Sequence, residues 1–434
     1  MIGRELMIDG NMSRAKHGVS SGRMVLVKNT WALAAMQVGK YLFPLITLPY
    51  LARVLGPDAY AVRAYVVSFM VFMTTIIDYG FSQYGTRAVA ERSEDIDYIS
   101  RVNAVVYVAK FAMLCIAGII TATVTPFIQI MAGYPVFVVV SLLSVALKSF
   151  LPDFILQGIQ DMKAIAVRFT ATQLVAVIMI FLFIRGEEQL LLVPVFEGIA
   201  AVISIVWSQV YLSSRFGIGV RRFSFKEFRT IFSESTPFFF AIAASAFMAS
   251  TITVLMGVFA IDTLTISCWS ITATIIQGIQ ALWQPLSRSL FPYMVVNKDA
   301  KLLARLLCLG APLTVVLVAV CYFGADLIML VMGGADYVQG AYILQWVSPV
   351  ILFSYPISMM GYPVIGAIGK ASQLSICIIT TACIQIVVLL TAGVTGNFNI
   401  QAIALARVGS EAVLCALEGV MAFRTMRSIK AGSR

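Results

Sequence analysis

Apolar stretches long enough to cross a lipid bilayer recur along almost the whole 434-residue chain. About 20 residues of α-helix span a hydrocarbon core of roughly 30 Å. Only 12% of the residues are charged, against about a quarter in a typical soluble protein. The sequence therefore predicts an all-α integral membrane protein with about twelve transmembrane helices. They are placed at 29–54, 59–81, 102–125, 135–156, 164–184, 189–212, 234–259, 264–287, 303–323, 340–365, 371–393 and 399–423.

The basic residues are distributed between these segments in a pattern that predicts their orientation. If the N-terminus is cytoplasmic, the inner segments hold 24 of the 31 Lys and Arg residues, and Arg185 is the clear case in an outer loop. Such asymmetry is the positive-inside pattern of multi-pass proteins. It predicts that both termini are cytoplasmic. Because the net charge of +10 is spread between apolar spans, it does not indicate a nucleic-acid-binding patch.

A longer basic segment divides the predicted helices into two groups of six. We expect an N-lobe at 29–212, a cytoplasmic linker at 213–233 and a C-lobe at 234–423, with cytoplasmic tails at 1–28 and 424–434. The outer loops are too short to fold as domains. Any functional site is therefore expected within the membrane or on the inner face.

Ionisable side chains within the predicted spans are the candidate functional residues. Ten such groups facing lipid would cost about 25–35 kcal/mol, more than the roughly 5–15 kcal/mol by which a fold is stable. We therefore expect them to pair with one another or to line a wet cavity. The candidates for binding an anionic substrate are Lys40, Arg63, Lys110, Lys148 and Arg407. The candidates for ion coupling are Asp78, Asp153, Glu197, Glu411 and Glu418.

Spacing gives partial guidance on how these charges pair. Arg407, Glu411 and Glu418 share one face of the last predicted helix. The spacing of Lys148 and Asp153 leaves their pairing open. Arg53, near the outer end of the first span, is expected to extend to the interface.

The residue types that several enzyme classes need are missing. The one histidine, His17, lies in the predicted tail, and no GxxxxGK[ST] phosphate-binding loop occurs. The seven cysteines show no metal-ligand spacing. We predict no metal, no cofactor and no enzymatic activity, which leaves transport driven by an ion gradient, by the gradient of the substrate, or by both.

Two runs resemble motifs of a known transporter family. They are LITLPYLARVLGPDAY at 45–60 and IIDYGFSQYGTRAVAERSEDID at 76–97. Both are similar to sequences of the polysaccharide repeat-unit (O-antigen type) flippases, which belong to the multidrug, oligosaccharidyl-lipid and polysaccharide exporter (MOP) superfamily. The resemblance implies two six-helix lobes around a central cavity that opens alternately to either side of the bacterial cytoplasmic (inner) membrane.

The same resemblance implies a substrate and partners. The substrate would be an oligosaccharide linked to undecaprenyl pyrophosphate, moved from the inner to the outer leaflet. Besides membrane lipids, a polysaccharide polymerase and a chain-length regulator would be partners. Lys40 and Arg63 stand where the family is usually uncharged, which fits either a particular acidic glycan or different helix pairing.

Two other functions are weighed against the flippase. An ion-coupled small-molecule or multidrug exporter of the same superfamily would share the twelve spans but not the two motif runs. A membrane glycan polymerase or glycosyltransferase would need a sizeable outer loop or an acidic metal motif, and the sequence contains neither.

Overall fold

The computed structural model describes residues 2–367 and 371–432, with side chains described between 39 and 424 except at 241, 245, 249, 296 and 368–371. The predicted tails at 1–28 and 424–434 fall almost entirely outside this side-chain range. Every regular element within the described ranges is helical. The predicted all-α class is confirmed.

The helices are numbered in chain order. They are α1 (Ile2–Asp78), α2 (Phe81–Glu91), α3 (Ile96–Val124), α4 (Gln129–Ala132), α5 (Pro135–Ser149), α6 (Asp153–Gly158), α7 (Met162–Phe183), α8 (Leu192–Phe216), α9 (Phe225–Val258), α10 (Thr263–Ala281), α11 (Gln284–Asn297), α12 (Ala300–Phe323), α13 (Ala325–Met332), α14 (Ala341–Val347), α15 (Val350–Met360), α16 (Ala371–Val394) and α17 (Ile400–Gly432). Short 3₁₀ turns lie at Thr125–Phe127, Glu187–Gln189 and Ala335–Gly340, and a π-helical segment at Gly361–Gly366.

Nine helices of the described part are long and apolar enough to cross a bilayer. They become ten if the pair Ala335–Val347 and Val350–Gly366, bent by 48°, forms one span. One of the nine, Gly39–Asp78, has 40 residues and is about twice as long as a bilayer core requires. With its two halves counted separately and α10 included, a helical segment occupies each of the twelve predicted positions.

The long helix α1 reverses direction at Gly56. The φ of 70° and ψ of 172° at this residue are not helical, and a positive φ favours glycine. Before the break, Tyr50 donates a hydrogen bond to the carbonyl oxygen of Ile184, at the end of α7. After the break, the Tyr65 hydroxyl donates a hydrogen bond to the carbonyl oxygen of Val254, near the end of α9. Gly80, two residues beyond the end of α1, packs against Ser235, nearer the beginning of α9. The second half of α1 is thus antiparallel to α9.

Side-chain caps fix where several helices begin. Asp95, Asp161 and Asp262 each accept a backbone hydrogen bond at the first turn of α3, α7 and α10. Ser224 forms a reciprocal capping box with Glu227 at the beginning of α9. At α12, the backbone N–H of Leu302, helped by that of Lys301, lowers the pKa of the Asp299 carboxyl below its ordinary value.

Two groups of helices meet along α1. In the N-lobe, α1 packs against α3, α5 and α7, while α8 packs against α5 and α7. In the C-lobe, α17 packs against α14, α15 and α16. The two lobes join because α1 also packs against α9 and α10, and a shared apolar core includes Leu51, Tyr65, Met256 and Ile271. We call the side with α2, α6 and the 217–224 loop the basic face, and the side with Gly56 and Asp262 the opposite face.

A charged cavity and the buried ion pairs

A cavity of about 510 Å³ lies between the second half of α1 and helices α5, α8 and α9. Its wall is mostly apolar, with Val67, Met70 and Phe137 among the lining residues. Ile242 and Ala246 of α9 close it from the C-lobe side. Its charged lining residues are Arg63, Lys148 and Glu197. Three of the sequence candidates are therefore brought together.

A second cavity of about 220 Å³ adjoins the first. It shares Lys148 and Glu197 with the first cavity and adds three charged residues. These are Lys40 of α1, Asp153 at the beginning of α6 and Arg168 of α7. The two cavities therefore have four cations and two carboxylates in their walls.

The surplus positive charge belongs to Lys40 and Arg63. Among the described side chains, neither is paired with a carboxylate. The Nε of Arg63 is buried without a hydrogen-bond partner, and its guanidinium lies 5.9 Å from the ring centroid of Tyr60. An unpaired guanidinium beside a cavity has free donors for an anionic ligand.

Lys148 and Glu197 form an ion pair on the wall that the cavities share. The sequence left the partner of Lys148 open; the structure supplies it from α8. The Lys148 side chain is 42% exposed, so a ligand in either cavity can reach it.

Asp153 pairs with Arg168 of α7, which is not among the candidate residues predicted from the sequence. The guanidinium of Arg168 lies 2.6 Å from the carboxylate of Asp153 and donates a 2.7 Å hydrogen bond to Ser208. Only 2% of the Arg168 side chain is exposed. The available signal was Asp153 itself, because a carboxylate at a helix end within the membrane needs a cation nearby.

Lys110 lies apart from both cavities. Its ammonium contacts the Asp78 carboxylate at 2.9 Å and donates hydrogen bonds to Ser82 and to the carbonyl oxygen of Ser149. The side chain is 2% exposed. Three partners use all three donors of the ammonium, so Lys110 joins α1, α2 and α5 and has no donor left for a ligand.

The candidates of the last helix divide into a pair and a single carboxyl. Arg407 and Glu411 contact at 2.7 Å, as their spacing of four residues allows. Glu418 is 1% exposed, and its Oε2 has no hydrogen-bond partner among the described residues. It packs against Gly361, where the π-helical segment begins. Glu418 is therefore the buried candidate carboxyl whose charge no described cation neutralises.

Hydrogen bonds connect the two lobes on the opposite face. Arg53 donates hydrogen bonds to the carbonyl oxygens of Leu330 and Val331, at 3.3 and 2.6 Å. These carbonyls belong to the last turn of α13, where a cation is favourable. Tyr337 donates to the carbonyl oxygen of Ala52 at 3.0 Å. Arg53 therefore contacts the other lobe while its side chain stays exposed.

Comparison with known proteins decides the family. Residues 26–298 match the model of the family described as polysaccharide biosynthesis protein. The chain belongs to the polysaccharide biosynthesis protein family. The resemblance seen in the 45–60 and 76–97 runs is thereby confirmed, since both lie inside the matched region.

Relatives and solved structures agree with this assignment. The chain is 20% identical over 341 residues to a protein of Escherichia coli strain K12 named as an O-antigen transporter, covering 76% of this chain and 81% of the relative. A Shigella dysenteriae protein of the same name is 22% identical over 265 residues, covering 61% and 66%. The fold is similar to the inward-facing conformation of a multidrug resistance MATE family transporter of the MOP superfamily, with a TM-score of 0.69, 13% identity and coverage of 94% and 96%. This polysaccharide biosynthesis family member is accordingly a helical multi-pass membrane protein with a MATE-like fold.

Proposed function

We propose that this chain moves undecaprenyl-pyrophosphate-linked oligosaccharide repeat units from the inner to the outer leaflet of the bacterial cytoplasmic membrane. One observation carries the proposal: the two adjoining cavities have unpaired cations, Lys40 and Arg63, on either side of the accessible Lys148–Glu197 pair. The relatives named as O-antigen transporters support the same substrate class.

Electrostatics favours an anion in these cavities. A pyrophosphate supplies several acceptor oxygens to guanidinium and ammonium donors, and such charge-assisted bonds are strong where water is scarce. An ion-coupled small-molecule or multidrug exporter remains the alternative. The surplus positive charge disfavours a cationic drug in this site, because like charges repel in a medium of low dielectric constant.

Both lobes have a part in the proposed cycle. The substrate headgroup binds in the N-lobe cavities, and transport proceeds by alternating access with both termini cytoplasmic. Glu418, buried without a described ionic partner, is the proposed coupling carboxyl of the C-lobe. The other four candidate carboxylates each form an ion pair and are therefore less available for coupling transport to an ion gradient. They are Asp78, Asp153, Glu197 and Glu411. A polysaccharide polymerase and a chain-length regulator are the proposed partners.

Reconstituted protein tests the proposal. Proteoliposomes that contain the full chain and a fluorescent lipid-linked repeat unit report flipping as loss of signal to a membrane-impermeant quencher. Lys40→Gln/Arg63→Gln should slow the initial rate about tenfold or more, because two charged donors are lost. Arg185→Gln, which removes an exposed cation outside the cavities, is the matched control. Equal rates for all three proteins, or efflux of cationic dyes with no flipping, would contradict the proposal.

A further inference from the structure

The connection from α8 to α9 is a loop that hydrogen bonds hold in place. Gly217, with a φ of 68°, ends α8 through hydrogen bonds that join Gly217 to Ser213 and Ile218 to Leu212. Gly219 is held from both sides, since its N–H donates to Ser100 and its carbonyl oxygen accepts from Asn103. We call residues 217–230 the basic–aromatic segment.

This segment holds two large apolar side chains away from the protein. Val220 is 68% exposed and Phe225 is 79% exposed. The Phe225 ring is held in this exposed position because it stacks on Phe228, with the ring centroids 6.0 Å apart. Exposed apolar groups of this size, fixed in position, are suited to entering an apolar medium.

Three cations accompany them. Arg222, Lys226 and Arg229 are exposed, and in the part of the chain that is described none of them has a carboxylate partner. The neighbouring Arg221 differs, because it pairs with Asp97 at 3.0 Å. Lys226 also lines a cavity of about 190 Å³ together with Tyr84, Tyr98 and Arg101. Free cations and exposed apolar side chains therefore share one short segment.

Aromatic residues at the end of α8 mark the depth of the segment in the bilayer. Trp207 and Tyr211 stack with centroids 5.4 Å apart, and the guanidinium of Arg215 lies 5.6 Å from the Tyr211 ring centroid. Trp and Tyr gather at the headgroup level of membrane proteins, where one end of the ring is wet. The segment, which follows directly, then lies at the surface of the bilayer.

We propose that the basic–aromatic segment is a binding site for the headgroups of acidic phospholipids such as phosphatidylglycerol. Arg222, Lys226 and Arg229 contact the lipid phosphates, and Val220 and Phe225 enter the acyl region. Charge complementarity selects an anionic surface, and the two inserted apolar side chains select a membrane over a soluble acidic protein. Each cation near such a surface contributes about fivefold to binding.

The bound lipid would act on the helix that closes the substrate cavity. Lys226 and Arg229 lie in the first turns of α9, and further along the same helix Ile242 and Ala246 line the larger cavity. Because α9 packs along α1 and α2, a lipid at its beginning also touches the junction between the lobes. The proposal stands whether or not the substrate is a lipid-linked glycan.

Native mass spectrometry of the detergent-purified full chain tests the site. The protein is titrated with phosphatidylglycerol or with phosphatidylcholine, and retained lipid is counted. The wild type should retain phosphatidylglycerol about tenfold or more in preference to phosphatidylcholine. Arg222→Gln/Lys226→Gln/Arg229→Gln should lose this preference. Arg288→Gln/Lys298→Gln/Lys301→Gln, which removes three exposed cations of the same face from the C-lobe, should keep it.

Further variants separate the roles of charge and apolar contact. Arg222→Lys/Arg229→Lys preserves the charge and should retain the lipid, whereas Val220→Ser/Phe225→Ser should weaken retention of both lipids. Equal retention of the two lipids by the wild type would overturn the proposal. So would an equal loss in the two glutamine triples, or displacement of phosphatidylglycerol by equimolar inorganic phosphate, which would indicate a site for free anions.

Discussion

Lys148 of α5 and Glu197 of α8 form an ion pair on the wall common to two cavities, with unpaired Lys40 and Arg63 on either side. The pair is partly exposed, so an anionic ligand can compete with Glu197 for the ammonium. Without a ligand, the Glu197 carboxylate therefore occupies the position beside Lys148 that a substrate phosphate would take. Removing the Glu197 carboxylate should therefore raise the affinity for an anionic ligand.

Glu197→Gln should strengthen binding of a lipid-linked diphosphate, whereas Lys148→Gln should weaken it. Releasing Lys148 from an exposed ion pair is worth about fivefold, and removing its charged donor costs about tenfold. Equilibrium binding of a fluorescent lipid diphosphate to detergent-purified protein measures both. Glu91→Gln, which releases the exposed Arg87 outside the cavities, is the control. Weaker binding by Glu197→Gln would show that the carboxylate does not compete with the ligand.

Lys110→Met should destabilise the protein by about 3–5 kcal/mol, because Asp78 would keep a buried charge without its partner. Lys110→Met/Asp78→Asn should recover a large part of this loss, since both charges are then removed. Thermal unfolding in detergent measures the difference. Lys40→Met, at an exposed and unpaired position, should leave the unfolding temperature close to that of the wild type. A destabilisation by Lys40→Met as large as that of Lys110→Met would contradict the assignment of Lys110 to a structural role.

Glu418→Gln should reduce the response of transport to an imposed pH gradient. The change keeps the size of the side chain and removes the carboxyl that has no described ionic partner. Flipping in proteoliposomes with and without the gradient gives the measurement, and Glu187→Gln in an exposed turn is the control. An unchanged response, with normal protein stability, would exclude Glu418 from coupling.

Arg53→Gln should loosen the contact between the lobes on the opposite face. Its two hydrogen bonds to the end of α13 would be weakened, and Cys268, which is buried beside Tyr337, would become more accessible. Labelling with an impermeant maleimide reports this in a protein that retains Cys268 and has Ala at the other cysteines. We expect severalfold faster labelling than in the same background with Arg53 or with Arg185→Gln. Equal labelling rates would mean that Arg53 does not hold this face closed.

The sequence predicted several residues of the candidate site for simple reasons. The positions of Lys40, Arg63 and Lys148 followed from their placement in apolar segments, where an ionised group is too costly to face lipid. The Arg407–Glu411 pair followed from helical spacing, because residues four apart meet on one face. In both cases, the chain close to the residue determines the outcome.

The sequence did not identify partners that are far apart along the chain. Lys148 pairs with Glu197, which is 49 residues further along the sequence. Arg53 donates a hydrogen bond to the carbonyl oxygen of Val331, which is 278 residues further along. Arg168 was not among the candidates, because its partners Asp153 and Ser208 belong to other helices, α6 and α8. Lys110 and Lys148 were both candidates, yet the structure seals the first and leaves the second accessible.

Hydropathy and charge by themselves determined that this chain is a helical membrane protein with about twelve segments, because the cost of an unsatisfied backbone or a lone charge in lipid is local to each segment. The tertiary structure decided which charges neutralise one another and which two of the four cations lining the cavities have no carboxylate partner among the described residues. That choice depends on how neighbouring helices pack, and ion pairs between helices form only where the packing places opposite charges within a few ångströms.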